Sequence, residues 1–136
     1  MSVSDGLQEL IFDRLVADAA VHAIVADRIY DGRPSTGSYP CITFGPSDYV
    51  PDNLECFSSR EETIQIDCWS DDQARLNPCK RLADAVKKSL HLYEGAMVTH
   101  HLVVMKVGFV RVFLDRDGIK AHGVVSVTAS IDEDAT

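Results

Sequence analysis

Leu7, Leu10, Ile11 and Leu15 recur at helical spacing near the start of the chain, so one face of this segment is apolar. Asp5 is predicted to cap the helix, with Gln8 three residues on in the reciprocal position. A second apolar set, Val21, Ile24 and Val25, follows Asp18, where the helix either slips phase or restarts. Asp27–Tyr30 reads as a short strand entering a turn, and Asp31–Pro40, rich in Gly, Pro and Ser, as a loop. Cys41–Gly45 is apolar and partly β-branched and predicts a strand. Pro46–Arg60 shows no periodicity and predicts a long loop, a kind of segment that usually carries function or moves.

Clear alternation resumes at Thr63–Trp69. Ile64, Ile66 and Cys68 share one face, while Thr63, Gln65, Asp67 and Trp69 share the other. Ser70 with Gln73 offers a cap for the next helix, whose buried stripe is Cys79, Leu82, Ala83, Val86 and Leu90. Pro78 removes a backbone donor, so the helix either starts near Asn77 or is kinked at Pro78. Leu102–Leu114 and Ala121–Ile131 read as two further strands, with Asp117-Gly118 supplying turn residues between them. Val125, Val127, Ala129 and Ile131 alternate with Ser126, Thr128 and Ser130, the signature of a sheet with one wet face. The sum is an α+β domain: an antiparallel β-sheet of four to five strands, with two main helices packed on one face. One domain spans residues 1–136, with a long loop at 46–60 and a short acidic tail at 132–136.

Length and charge narrow the function. A chain of 136 residues buries roughly two-thirds of its unfolded surface. Its 13 basic and 21 acidic side chains leave a net charge of −8. Tight sequence-independent DNA binding needs a surplus of Lys and Arg to displace counterions, and the chain has none. An acidic wall beside DNA is a different matter, since like charge discourages sticking over about one Debye length. Met1–Gly6 carries no basic region, and Leu102–Leu114 is too short and too interrupted by Lys106 and Arg111 to span a bilayer, so a protein cytosolic when made is expected. Cys41, Cys56, Cys68 and Cys79 lie far apart, with no Cys-x-x-Cys pair, and read as buried thiols, with a structural zinc or disulfides as alternatives.

Catalytic constellations are not evident. His100 and His101 are adjacent and would point to opposite faces of a strand, while His22, His91 and His122 are isolated. Asp71 and Asp72 suit the positive end of a helix dipole, which explains them without chemistry. Cys68 shares the core face with Ile64 and Ile66. No catalytic, cofactor-binding or metal-binding residue is assigned, although a metal site built from distant residues escapes a spacing argument. Lys80, Arg81, Lys87 and Lys88 cluster on the exposed side of the second helix, as either a solvated face or a surface for an acidic partner. In the segment 46–60, Tyr49, Leu54 and Phe57 are apolar anchors among polar residues, and Arg60 closes it. The candidate subunit or partner interface is therefore Tyr49, Leu54, Phe57, Arg60, Lys80, Arg81, Lys87 and Lys88, the alternative being a plain surface loop and helix.

Four strings in order resemble one family. They are Asp27-Arg28-Ile29-Tyr30-Asp31, Tyr39-Pro40-Cys41-Ile42-Thr43-Phe44-Gly45, Asp67-Cys68-Trp69-Ser70, and Asp117-Gly118 with His122-Gly123-Val124-Val125. Their order and spacing, over about Leu7 to Ala129, are similar to phage tail-completion proteins of the head–tail connection. Cys41 departs from the family pattern where an aromatic residue often follows Tyr-Pro, and Pro78 falls inside the usual second helix. The resemblance implies a hexameric ring that closes the head-proximal end of the tail tube and docks on the connector. DNA would pass through its channel without specific binding, and no catalysis or cofactor would be involved. The implied partners are copies of the chain, the tail tube protein and the head–tail connector or stopper protein. The implied location is the virion, at the head–tail junction. A head–tail stopper or adaptor is the rival reading, and a small metal-dependent hydrolase a distant one. Whether the particle is a phage, a prophage or a gene transfer agent is left open by the residues.

Overall fold

The computed structural model describes residues 2–32, 38–52 and 58–133. Three helices and five strands follow in the order α1 (Val3–Ala17), α2 (Ala19–Val25), β1 (Ile29–Tyr30), β2 (Cys41–Pro51), β3 (Ser59–Ser70), α3 (Asn77–Leu90), β4 (His101–Leu114) and β5 (Ala121–Asp132).

The first helix starts earlier than the pattern around Leu7 predicts. Ser2, not Asp5, is its cap: the Ser2 hydroxyl accepts from the Asp5 amide at 3.1 Å, and the Asp5 carboxylate accepts from the Ser2 amide at 3.4 Å. Asp5 thus fills the reciprocal place in the capping box, and Val3 joins Leu7, Ile11 and Leu15 on the buried stripe. Asp18 ends α1 and starts α2. Its carboxylate accepts from the Ala20 and Val21 amides at 2.9 and 3.1 Å, so the helix restarts and does not merely slip.

The sheet has five strands in the order β1-β2-β3-β5-β4. It is mixed, not purely antiparallel, because β1 runs parallel to β2 through Ile29↔Ile42 and Tyr30↔Thr43. The remaining pairs are antiparallel. β5 is an interior strand, paired along its length on both sides, with Ile66↔Val125 and Val110↔Val125 in register.

Of the predicted loop 46–60, residues 46–51, 59 and 60 are strand, and 53–57 lie outside the described residues. β2 continues through it to Pro51, paired with β3 from Ser47↔Ile64 to Pro51↔Arg60. The register shifts between Phe44 and Ser47, so Pro46 falls at an irregularity, where its missing donor is tolerated. Asp48, Ser47 and the prolines are poor strand formers, which is why the pattern misled; the ladder offered by β3 overrides propensity. This extension of β2, the arm, lies along β3, which stays paired with β5 from Ser59↔Asp132 onward. Near its tip the Asp52 amide donates to Ser59 O at 2.8 Å, and the Ser59 hydroxyl bonds back to Asp52 O.

One face of the sheet carries the core. Ile64, Ile66 and Cys68 of β3 and Val125, Val127, Ala129 and Ile131 of β5 are buried there with Leu102 and Met105 of β4. Against them lies the α3 stripe of Cys79, Leu82, Ala83, Val86 and Leu90. The helix begins at Asn77 with Pro78 in its first turn, where a missing amide is harmless, so the kink does not occur. Ser70 is the last residue of β3, not a helix cap. Gly123 sets how closely α3 can approach: a Cβ here would sit 3.1 Å from Cys79 Sγ and 3.3 Å from Cys68 Cβ. In the β4–β5 connection, the Asp117 carboxylate accepts from the amides of Ile119 and Lys120 at 2.8 and 3.0 Å, and Gly118 takes a φ of +70°.

Arg60 ties the arm to the body. Its guanidinium donates to Glu62 at 3.1 Å, bonds Glu133, approaches the Ser4 hydroxyl at 3.5 Å, and lies 3.6 Å over the Tyr49 ring. Glu62 is 1% exposed, so its charge rests on this partner. Burial opposes the charge on Arg60, but the bonds to Glu133 and Glu62 outweigh it and hold the group more firmly protonated.

Two stability predictions follow from these contacts. Gly123→Val should lower stability by about 1–3 kcal/mol by pushing α3 off the sheet, read as a lower urea midpoint at unchanged slope. An unmoved midpoint would contradict the packing. Arg60→Ala should lose about 3–5 kcal/mol, because it leaves Glu62 buried without a counter-charge. Replacing both by Leu should recover most of that loss, and failure to recover would show that other contacts of Arg60 dominate.

Candidate functional site: a polar cluster on the open face and two bare sheet edges

The sheet face away from α3 carries a ladder of polar side chains. Thr63 and Thr128 share a hydrogen bond of 3.0 Å between their hydroxyls. Gln65 donates to Asp67 Oδ1 at 2.8 Å, and the same oxygen lies 2.7 Å from His122 Nε2. The His122 ring stacks on Trp69, with centroids 3.9 Å apart and planes 10° from parallel, and meets Phe113 at 4.9 Å. Trp69 Nε1 donates to the Thr43 hydroxyl at 3.0 Å. Gly45 completes the set, since a Cβ at that position would come within 2.6 Å of Asp67 Oδ2. Arg28 donates to Pro40 O at 2.8 Å and to Ile24 O at 3.2 Å, fastening the end of α2 to the start of β2.

Three of the four family-like strings therefore meet on one patch. Tyr39–Gly45, Asp67–Ser70 and His122–Val125 supply neighbouring positions of β2, β3 and β5 through the pairs Thr43↔Asp67 and Trp69↔His122. His122, isolated in the sequence, is the hub. No local signal could have found it, because its carboxylate partner lies 55 residues away.

The chemistry available here is limited. An Asp–His pair activates a nucleophile only if one is within reach. The nearby thiol is Cys41, and burial pushes it up to about 11, against a weaker pull from Arg28. Burial likewise raises Cys79 to about 11 and Cys68 well above the ordinary thiol value. Such thiols stay protonated at neutral pH and are inert. Among the described residues, no three His, Cys, Asp or Glu side chains converge as a metal site would require. The cluster is a lock that fixes strand register by stacking and hydrogen bonds.

The residues proposed for an interface are dispersed. Tyr49 is half exposed on the arm and stacked by Arg60, whose charge is already engaged within the chain. Leu54 and Phe57, with Cys56, lie outside the described residues. Lys88 pairs with Asp84 at 3.1 Å on the exposed face of α3. Lys80 and Lys87 flank a shallow groove with Val110 and Val112 of β4, whereas Arg81 borders a separate cleft with Tyr39, Asp71 and Asp72.

What the apolar pattern left unread is the outer edge of the sheet. Beyond β4 no strand follows among the described residues. The rim of β4 near its start is capped from inside: the Leu92 amide donates to Met105 O at 2.8 Å, and the Val107 amide to His91 Nδ1 at 3.1 Å. Past the irregularity at Val107–Phe109 the rim is open, with Phe109, Val110 and Leu114 exposed. The other flank is bare too. β1 covers β2 only at Ile42 and Thr43, leaving the arm's outer rim unpaired among the described residues, with Tyr49 and Val50 exposed. A signal existed for β4: apolar residues occupy both alternation phases from Val107 to Leu114, more than one buried face can absorb.

Comparison with known proteins assigns the fold. None of the curated proteins compared matches the chain. Among solved structures, the fold is similar to a chain of the virion of a native gene transfer agent particle, at a TM-score of 0.89 and 20% identity, covering 96% of this chain and 98% of that one. Residues 9–132 match the family described as Tail completion protein gp17. A match over nearly the whole sequence, joined to a fold whose open face gathers the strings that resemble that family, places this chain in the family of phage tail completion proteins.

Proposed function

We propose that this protein is a structural subunit of a tailed phage or phage-like particle, forming a ring at the head-proximal end of the tail tube that terminates the tail and joins it to the head connector. The observation that carries the reading is family membership over residues 9–132. The similarity of fold to a chain of a gene transfer agent virion supports it.

The surfaces fit the role. Bare rims on both flanks of one sheet suit a subunit that meets a neighbour on each side. Tyr49 on one flank, with Lys80 and Lys87 on the other, belongs to these contacts, while Arg81 and Lys88 face away from them toward the tail tube protein or the connector. The role is mechanical: the Asp67–His122–Trp69 cluster holds strands in register and turns over no substrate.

The charge balance supports a channel that passes DNA. α3 and β4 together hold six of the 13 Lys and Arg residues but only one of the 21 Asp and Glu residues, so the rest of the chain holds 20 acids against seven bases. An acidic lining lets DNA traverse a channel without being held.

Particles produced without this protein should have tails of irregular length and heads without tails, counted by negative-stain electron microscopy. Supplying the protein should restore joined particles. Normally finished, head-joined tails in its absence would refute the proposal.

A further inference from the structure

The two bare flanks differ in a way that specifies how they meet. The open half of β4 carries Phe109 and Arg111 on the sheet's open face, since they pair with Ser126 and Val124 of β5. On the helix side it carries Val110, beside Lys80, Lys87 and Asp84 of α3, the last already paired with Lys88. Among the described residues, none of Lys80, Lys87 and Arg111 has an acidic partner within salt-bridge distance, and β4 itself contains no acid.

The arm presents the opposite composition. Asp48 and Val50 lie on the open face, paired with Thr63 and Glu61, and Tyr49 lies on the helix side, paired with Glu62. Asp48, Asp52 and Glu61 are exposed and form no ion pair among the described residues. The strand order puts β2 and β4 on opposite sides of the sheet, with β3 and β5 between them, so the two rims cannot meet within one chain.

From this we infer that the open rim of β4 in one copy seats on the outer rim of the β2 arm in the next copy, head to tail, with Arg111 facing Asp48 of the neighbour. The inference rests on the ring reading and gives it a contact and a direction. When a sheet continues from one copy to another, its faces are kept. Phe109 and Arg111 then meet Val50 and Asp48 on the open side, while Val110 with Lys80 and Lys87 meets Tyr49 on the helix side. Apolar atoms leave water on both faces, and on the open face the charge of Arg111 finds its opposite in Asp48. Pro46 and Pro51 lack amide donors, which limits any backbone ladder on the arm to residues 47–50 and leaves the remainder to side chains. Such a contact uses two different surfaces, so it propagates in one sense and closes only as a ring.

Charge reversal tests this. Arg111→Glu and Asp48→Arg each change an exposed side chain with no ion-pair partner, so both variants should keep the wild-type thermal transition. Each alone should raise the protein concentration at half assembly about tenfold or more, through like-charge contact. The double variant should recover assembly. So should an equal mixture of the two single variants, and native mass spectrometry should then find rings holding the two masses in equal numbers, as alternation requires. If wild-type rings form and either variant assembles normally, or if reversal is not rescued, the contact is wrong while the ring stands. If the wild-type chain stays monomeric at millimolar concentration and on isolated tail tubes, the ring itself is wrong, and this contact with it.

Discussion

A β-strand satisfies its backbone on two sides, and a strand with a neighbour on only one side must offer the rest to water or to another chain. That constraint organises this protein. β5 is satisfied on both flanks, and the sheet grows outward from it through β3 to β2 and directly to β4. Among the described residues no strand lies beyond β4. Where the fold itself caps the rim, as His91 and Leu92 do over Met105 and Val107, the matter is closed. Where it does not, the rim bears apolar residues: Phe109 and Val50 are 57% and 65% exposed. A solitary soluble protein usually guards such an edge with charge, short length or a covering segment.

The two sheet faces divide the remaining work. The helix side supplies stability by removing apolar surface from water, at about 25 cal/mol per Å². The open side supplies precision. A one-residue slip between β3 and β5 would separate Trp69 from His122 and Asp67 from His122 and expose the core face, so both faces enforce one register. Arg60 then makes the arm part of the body, because releasing the arm would strand the buried charge of Glu62. A rigid arm and a rigid β4 rim are what a subunit needs if successive copies are to keep a constant angle and close.

Much of the fold was legible in the sequence, for identifiable reasons. The α3 stripe, the alternation of Ile64, Ile66 and Cys68, and the strand from Ala121 were readable because half-burial writes a period into the residues. Length was less so. β2 ran past Gly45 against the propensities of Pro46, Asp48 and Pro51, since β3 provided a ladder that no local pattern records. The parallel strand β1 was too short to declare its direction. The resemblance, by contrast, named residues whose meaning became clear only in three dimensions: Gly45, Asp67, Trp69 and His122 touch across strands that lie far apart in sequence. The basic residues of α3 read in sequence as one exposed face, whereas in the fold Lys80 and the half-buried Lys87 border β4 and Arg81 borders Tyr39.

The central claim is that the sheet is unfinished in one copy and completed by another. Hydrogen–deuterium exchange measures this directly, because it reads backbone amides one segment at a time. The assembled state would be compared with protein dispersed by high salt, which screens the charges that join copies. The account predicts slower exchange in the assembled state at 108–114 of β4 and 47–50 of β2, with no change at 123–129 of β5, which is already paired on both sides. Equal exchange along both rims in the two states, or protection confined to α1 and α2, would contradict it.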